Sequence, residues 1–82
     1  MSLADLGPGQ RGKVVAILPA CQGLERRRMM DLGILPGTII RAELVSAGGD
    51  PVAYRVREAL IALRGEQARL ITIQPLVEKH DS

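Results

Sequence analysis

The chain has 82 residues, 46% of them apolar, and a formal charge of +2 from eleven basic and nine acidic side chains. That length holds one hydrophobic core and excludes a second domain; the apolar share excludes a disordered chain. So small a charge excess gives no reason to expect nucleic acid unless the cations gather on one face.

Leu3 and Leu6, ahead of Gly7-Pro8-Gly9, read as a short apolar lid closed by a turn. Arg11 to Leu18 is the first predicted strand. Both of its alternating sets are apolar (Val14, Ala16 and Leu18; Val15 and Ile17), so the pattern leaves the register open, and a strand covered on both faces is one reading. Val14 to Leu18 is also the longest apolar run, far short of the roughly 20 residues of a membrane span. The N-terminus lacks the pattern of a signal peptide, and Cys21, the single cysteine, has no intrachain disulfide partner, as expected in a reducing compartment. Together these features predict a soluble, cytoplasmic protein.

Pro19 ends the strand, and a helix is predicted from about residue 23 to 32. At about 100° per residue, Leu24, Met29 and Leu32 fall within an arc of about 140°. Arg28 lies on that arc, its stem across the core edge and its head in water or on a carboxylate. Arg26, Arg27 and Met30 fall on the opposite, outward face. Gly33 stands where a helix C-cap needs a left-handed backbone. Pro36 prevents the helix from resuming, Pro36-Gly37 is a turn signal, and Thr38-Ile39-Ile40 begins the next strand.

Thr38 to Val45 alternates, with Ile40, Ala42 and Leu44 on one face and Arg41 and Glu43 on the other, as in a half-buried antiparallel strand. Residues 47–51 form a hairpin loop. Val52, Tyr54 and Val56 then alternate with Ala53, Arg55 and Arg57. A turn near Glu58-Ala59 leads to a strand over 60–63, one helical turn over 64–68, and a last strand over 70–73 halted by Pro75. The fold predicted is mainly β: a small closed barrel of about five strands, with one helix between the first two and a short helical turn before the last. Closure would hide its strand edges. The domain spans 1–76, followed by a polar tail over 77–82.

Catalysis needs a nucleophile with its base, or paired acids. His80, the sole histidine, lies in the tail; Cys21 lies in a connection; Asp31 and Glu66 are isolated carboxylates suited to helix ends. No phosphate-binding GxxxxGK[ST] exists, so no enzyme is predicted. A metal site within one monomer lacks ligands. A divalent ion (Fe or Zn) has a route only between subunits, through Glu78, His80 or Asp81 joined by a neighbour's carboxylates, and adventitious binding is the plainer version of that idea. Tyr54, the sole aromatic ring, reads as a core-edge residue with a wet hydroxyl. One ring cannot build a groove for proline-rich peptides or a stacking platform for single-stranded nucleic acid. What remains is a protein-docking surface. Arg26, Arg27 and Met30 on the helix, Gly33, Pro36 and Gly37 at the corner, and Arg64 at a strand end form a candidate face for an acidic partner. The plainer reading is that these arginines only solubilise. A homodimer through a barrel edge or the Met30 face stays open.

RRMMDLGILPGT (27–38), GDPVAYRV (49–56) and LIALRGEQARLITI (60–73) together resemble the FeoA family, small accessory proteins of bacterial ferrous-iron uptake. The resemblance runs from about Leu3 to Ile73. It implies an SH3-like barrel and a partner, the membrane transporter FeoB with its cytoplasmic GTP-binding domain, with no direct membrane insertion of this chain and no nucleic acid. Two departures stand out: Glu58-Ala59 replaces a turn that often carries Gly, and Met29 stands where Leu is favoured. The same barrel serves metal-dependent repressors, so the alternatives are a module working with such a regulator or a small transition-metal-binding protein. A self-sufficient repressor would need a DNA-reading helix-turn-helix, and only one main helix is predicted.

Overall fold

The computed structural model describes residues 1–77. A 3-10 turn (Leu3–Asp5) precedes strand β1 (Arg11–Ile17), helix α1 (Gly23–Asp31), strands β2 (Ile39–Val45), β3 (Val52–Val56) and β4 (Ala59–Leu63), the one-turn helix α2 (Gly65–Ala68) and strand β5 (Ile71–Leu76). The strands form one antiparallel sheet in the order β4-β3-β2-β1-β5. The expected barrel is therefore not closed by strand pairing, because β4 and β5 are the two ends of the sheet. The β5 edge is covered by the N-terminus: Ile73 N–H donates to the Met1 carbonyl at 2.9 Å, and Ser2 bridges to Thr72. Pro75 lies inside β5 rather than ending it. Two residues on from Ile73, its missing N–H falls on that same outer edge, where no ladder bond to β1 is lost.

The passage from α1 to β2 has the geometry of a Schellman motif. Gly33 at φ 93° is the left-handed residue; its N–H donates to the Met30 carbonyl at 2.9 Å, and Ile34 N–H to the Met29 carbonyl at 3.1 Å. Met29 and Ile34, the apolar pair that accompanies such a cap, are both buried. A second turn follows at once. Thr38 N–H donates to the Leu35 carbonyl at 2.9 Å, with Gly37 at φ 93° in the third position, where a type II turn needs a left-handed residue. Gly37 N–H to the Val14 carbonyl and Val14 N–H to the Thr38 carbonyl, both 2.8 Å, fasten this turn to β1.

Two bulges explain where simple alternation fails. β1 shifts register against β5 between Val14 and Ala16, so Gly12, Val14 and Ile17 are buried while Val15 turns to solvent. One face of β1 is covered, not two. β2 shifts against β3 between Ala42 and Leu44; Ile40 and Ala42 stay in the core, but Leu44 is 63% exposed. An extra residue in one strand reverses every facing beyond it. In α1 only Met29 is buried; Leu24 and Leu32 are exposed, so the helix meets the core at one point rather than along an arc. The β3–β4 turn lies at Arg57-Glu58, one residue earlier than expected, and Arg57 takes φ 57°. That left-handed conformation costs a non-glycine residue about 1–2 kcal/mol.

The core joins Leu3 and Leu6 to Val14, Ile17, Ile34, Ile40, Tyr54, Val56, Ile71 and Ile73. Tyr54 is buried rather than at the edge, its hydroxyl 3.5 Å from the Leu3 carbonyl. From the β2–β3 loop, Asp50 Oδ1 accepts the Gly65 N–H at 2.9 Å and so caps α2. Gly12 has no room for a side chain: a Cβ there would lie 2.5 Å from Ile73 Cδ1 and 3.4 Å from Leu6 Cδ1. Gly12→Ala is expected to lower stability by about 2 kcal/mol through overpacking. Combining it with Ile73→Val, which removes Cδ1, should leave a coupling of about 1 kcal/mol in a urea-denaturation double-mutant cycle.

Candidate docking surface

Arg26, expected on the outward face, turns its head inward. Its Nη1 donates to the carbonyls of Ile17 at 3.2 Å and of Leu18 and Cys21 at 3.3 Å. One nitrogen with two protons thus serves three acceptors, clasping α1 to the end of β1 and the following loop. The Leu18 carbonyl also accepts the Cys21 N–H at 3.0 Å, and a guanidinium is a strong donor to all three oxygens. Arg26 places the helix; it is Arg27 and Met30 that are presented to solvent, three residues apart on one helical face.

Beyond the helix end, Leu35, Pro36, Gly37, Thr38, Ile39 and Arg57 line a shallow hollow of about 540 Å³. Ile39 is 48% exposed on its rim. Arg57 reaches the hollow from the β3–β4 turn and lies over Gly33, where a Cβ would stand 3.5 Å from its Nε. The predicted corner residues Gly33, Pro36 and Gly37 are thus brought together with two residues that sequence reasoning left out of the site. Ile39 carried a legible signal, since it alternates with buried Ile40. Arg57 did not, since its direction follows from the hairpin turn.

Arg64 does not join this patch. It lies with Arg28 and Met29 of α1, Leu32 at the helix C-cap, and Leu60 and Ala62 of β4 around a separate cleft of about 550 Å³. Across the sheet, Arg11 is opposite Arg41 and Arg41 opposite Arg55, a row of like charges that cross-strand pairing disfavours. Arg55 Nε meets Glu43 Oε1 at 3.4 Å, which relieves one end of the row.

Reactive chemistry finds little support among the described residues. Cys21 is buried, its Sγ 3.7 Å from Met29 Sδ. Burial, then the charge of Glu25, push its thiol up, with Arg26 opposing, so the nucleophilic thiolate is disfavoured at neutral pH. Burial and the charge of Asp50 likewise push the Tyr54 phenol up. No group of three or more His, Cys, Asp or Glu among the described residues fits a metal ion. Glu78, His80 and Asp81, the intersubunit metal candidates, lie outside the described residues.

One antiparallel sheet of five short strands with two small helices has the architecture of an SH3-like barrel. The model of the FeoA domain matches residues 1–75, and the chain belongs to that family. The solution structure of the FeoA protein from Chlorobium tepidum is similar at TM-score 0.86 and 30% identity, over 99% of this chain and 75% of that one. A FeoA-like protein from Clostridium acetobutylicum is similar at TM-score 0.84 and 34% identity, over 100% of this chain and 93% of that one. Stenotrophomonas maltophilia FeoA, a procaryotic SH3 domain protein complexed with zinc, shares the fold at TM-score 0.78 and 23% identity, over 90% and 89% of the two chains. No curated protein matches the chain.

Proposed function

We propose that this protein is a non-enzymatic, cytoplasmic accessory protein of ferrous-iron transport that docks on the cytoplasmic part of a FeoB-type transporter. Membership of the FeoA family supports the transport role. The observation that carries the docking role is the corner hollow. Exposed Ile39 and Pro36 give it apolar lining and Arg57 is its cation, and Arg27 and Met30 are exposed on the helix that leads into the same corner. Apolar contact with cations at the rim suits a partner surface that is aliphatic at its centre and acidic around it. Within this reading Arg26 sets the helix in place, while Gly33, Pro36 and Gly37 shape the corner and Arg64 serves another surface. A role beside a metal-dependent regulator rests on the shared barrel alone. Among the described residues no helix is long and apolar enough to cross a membrane.

Reversing Arg27→Glu and Arg57→Glu together should weaken binding to the purified GTP-binding part of the transporter by about tenfold at low salt, read by calorimetry. The circular dichroism spectrum should be unchanged. Unaltered affinity with an intact fold would discard this face.

A further inference from the structure

The two ends of the sheet are treated differently. The β5 edge is covered by Met1 and Ser2, whereas β4 pairs only with β3. Between Ala59 and Leu63 it carries neither Lys nor Pro nor any charge, the usual protections of a free edge. Its exposed groups include Leu60 at 46%, beside the cleft that also holds Leu32 and Arg28. The orientation of the free backbone groups follows from the turn. In a two-residue hairpin the pair next to the loop, here Val56 and Ala59, exchanges both hydrogen bonds, and bonded pairs then recur at every second position. Tyr54–Ile61 and Val52–Leu63 are therefore bonded pairs, and Leu60 and Ala62 direct their N–H and C=O groups away from β3.

The segment Glu58-Ala59-Leu60-Ile61-Ala62-Leu63-Arg64 is complementary to itself when reversed. Antiparallel pairing of two copies about Ile61 sets Leu60 against Ala62 and Ala59 against Leu63 of the second copy, a large residue against a small one each time. It also sets Glu58 against Arg64 at both ends. The register agrees with the backbone, because Leu60 and Ala62 become the bonded pairs and supply four hydrogen bonds across the two-fold axis. Glu58 and Arg64 side chains are exposed, and neither enters an ion pair within the described chain.

We infer that the β4 edge is a homodimer interface, in which two copies join antiparallel about Ile61 into one continuous sheet fastened at each end by Glu58–Arg64 pairs. The occupant of this edge is a second copy rather than another protein, because the charge pattern and the alternation of sizes are matched by this segment itself. The interface shares no lining residue with the corner hollow, although Glu58 follows Arg57 in the turn; dimerisation is measured without the transporter, so its failure and the failure of transporter docking are read independently.

Sedimentation velocity on the full chain across micromolar to millimolar concentrations tests it. The unaltered protein should show a reversible monomer–dimer equilibrium. Glu58→Arg or Arg64→Glu alone, each converting two attractive pairs into two repulsive ones, should weaken the dimer by about tenfold. The double swap should restore it, and so should an equimolar mixture of the two single variants. Ala62→Pro should abolish the dimer while leaving the monomer folded, because the N–H it removes points away from β3. A chain monomeric throughout the range, or a dimer indifferent to these substitutions, would overturn the inference.

Discussion

Ile34→Ala is expected to lower the stability of the protein by about 3 kcal/mol, the usual cost of truncating a fully buried aliphatic side chain that leaves a cavity. For a domain of this size that corresponds to a drop of roughly 15 °C in melting temperature. Ile34 is 0% exposed, and its backbone N–H closes the outer bond of the helix cap on the Met29 carbonyl. Its side chain joins the Schellman corner to the sheet core, so both the cap's apolar contact and the barrel packing are lost together. Ile34→Val, which removes one methylene, should cost only about 1 kcal/mol. Thermal and urea denaturation give both values; a loss below about 1 kcal/mol for the alanine variant would show that the corner does not depend on this residue.

Arg26→Ala is expected to cost about 2 kcal/mol, because hydrogen bonds from a charged donor are lost and the Ile17, Leu18 and Cys21 carbonyls lose that donor, Leu18 keeping only the Cys21 N–H. Those carbonyls belong to the end of β1 and to the loop before α1, so the damage should be local as well as global. Amide hydrogen exchange should rise along residues 18–32 more than along β3 and β4. Arg26→Lys keeps the charge but lacks the planar fork that reaches several carbonyls at once, and should recover only part of the stability. If Arg26→Ala left stability unchanged while weakening partner binding, the residue would be a contact after all.

How far these features could be read from residues alone depends on whether their cause is local. The corner from Met29 to Gly37 was legible because Gly and Pro restrict the backbone directly, and both turns take the conformations those residues favour. β3 was legible because its alternation is uninterrupted. β1 offered no register to read, and β2 was misread at Leu44; in both strands a bulge reverses the facing, and a bulge depends on the neighbouring strand, which local periodicity does not contain. The helix arc failed for a related reason, since a helix of nine residues that touches the core through Met29 need not bury Leu24 or Leu32. Arg26 was placed correctly on the helix and wrongly in its direction, because carbonyl acceptors leave no mark in the side-chain sequence. The cap of α2 by Asp50, from another loop, is equally invisible.

The surface divides along the same line. Arg27 and Met30 followed from helix spacing, and the structure presents both to solvent. Arg64 was grouped with them on charge alone, although the fold sends it to the cleft beside β4. Arg57 entered the corner only through a tertiary contact with Gly33. A patch composed of a helix face, a turn and a distant hairpin is assembled by the barrel and has no contiguous sequence signature.

The most direct measurement is an amide-shift map of the isotopically labelled chain, titrated with the purified cytoplasmic part of the transporter. Shifts should concentrate at Arg27, Met30, Gly37, Ile39 and Arg57, while the covered edge near Thr72 stays unchanged. An unperturbed spectrum at saturating partner, or shifts confined to surfaces away from the helix-to-sheet corner, would contradict the account.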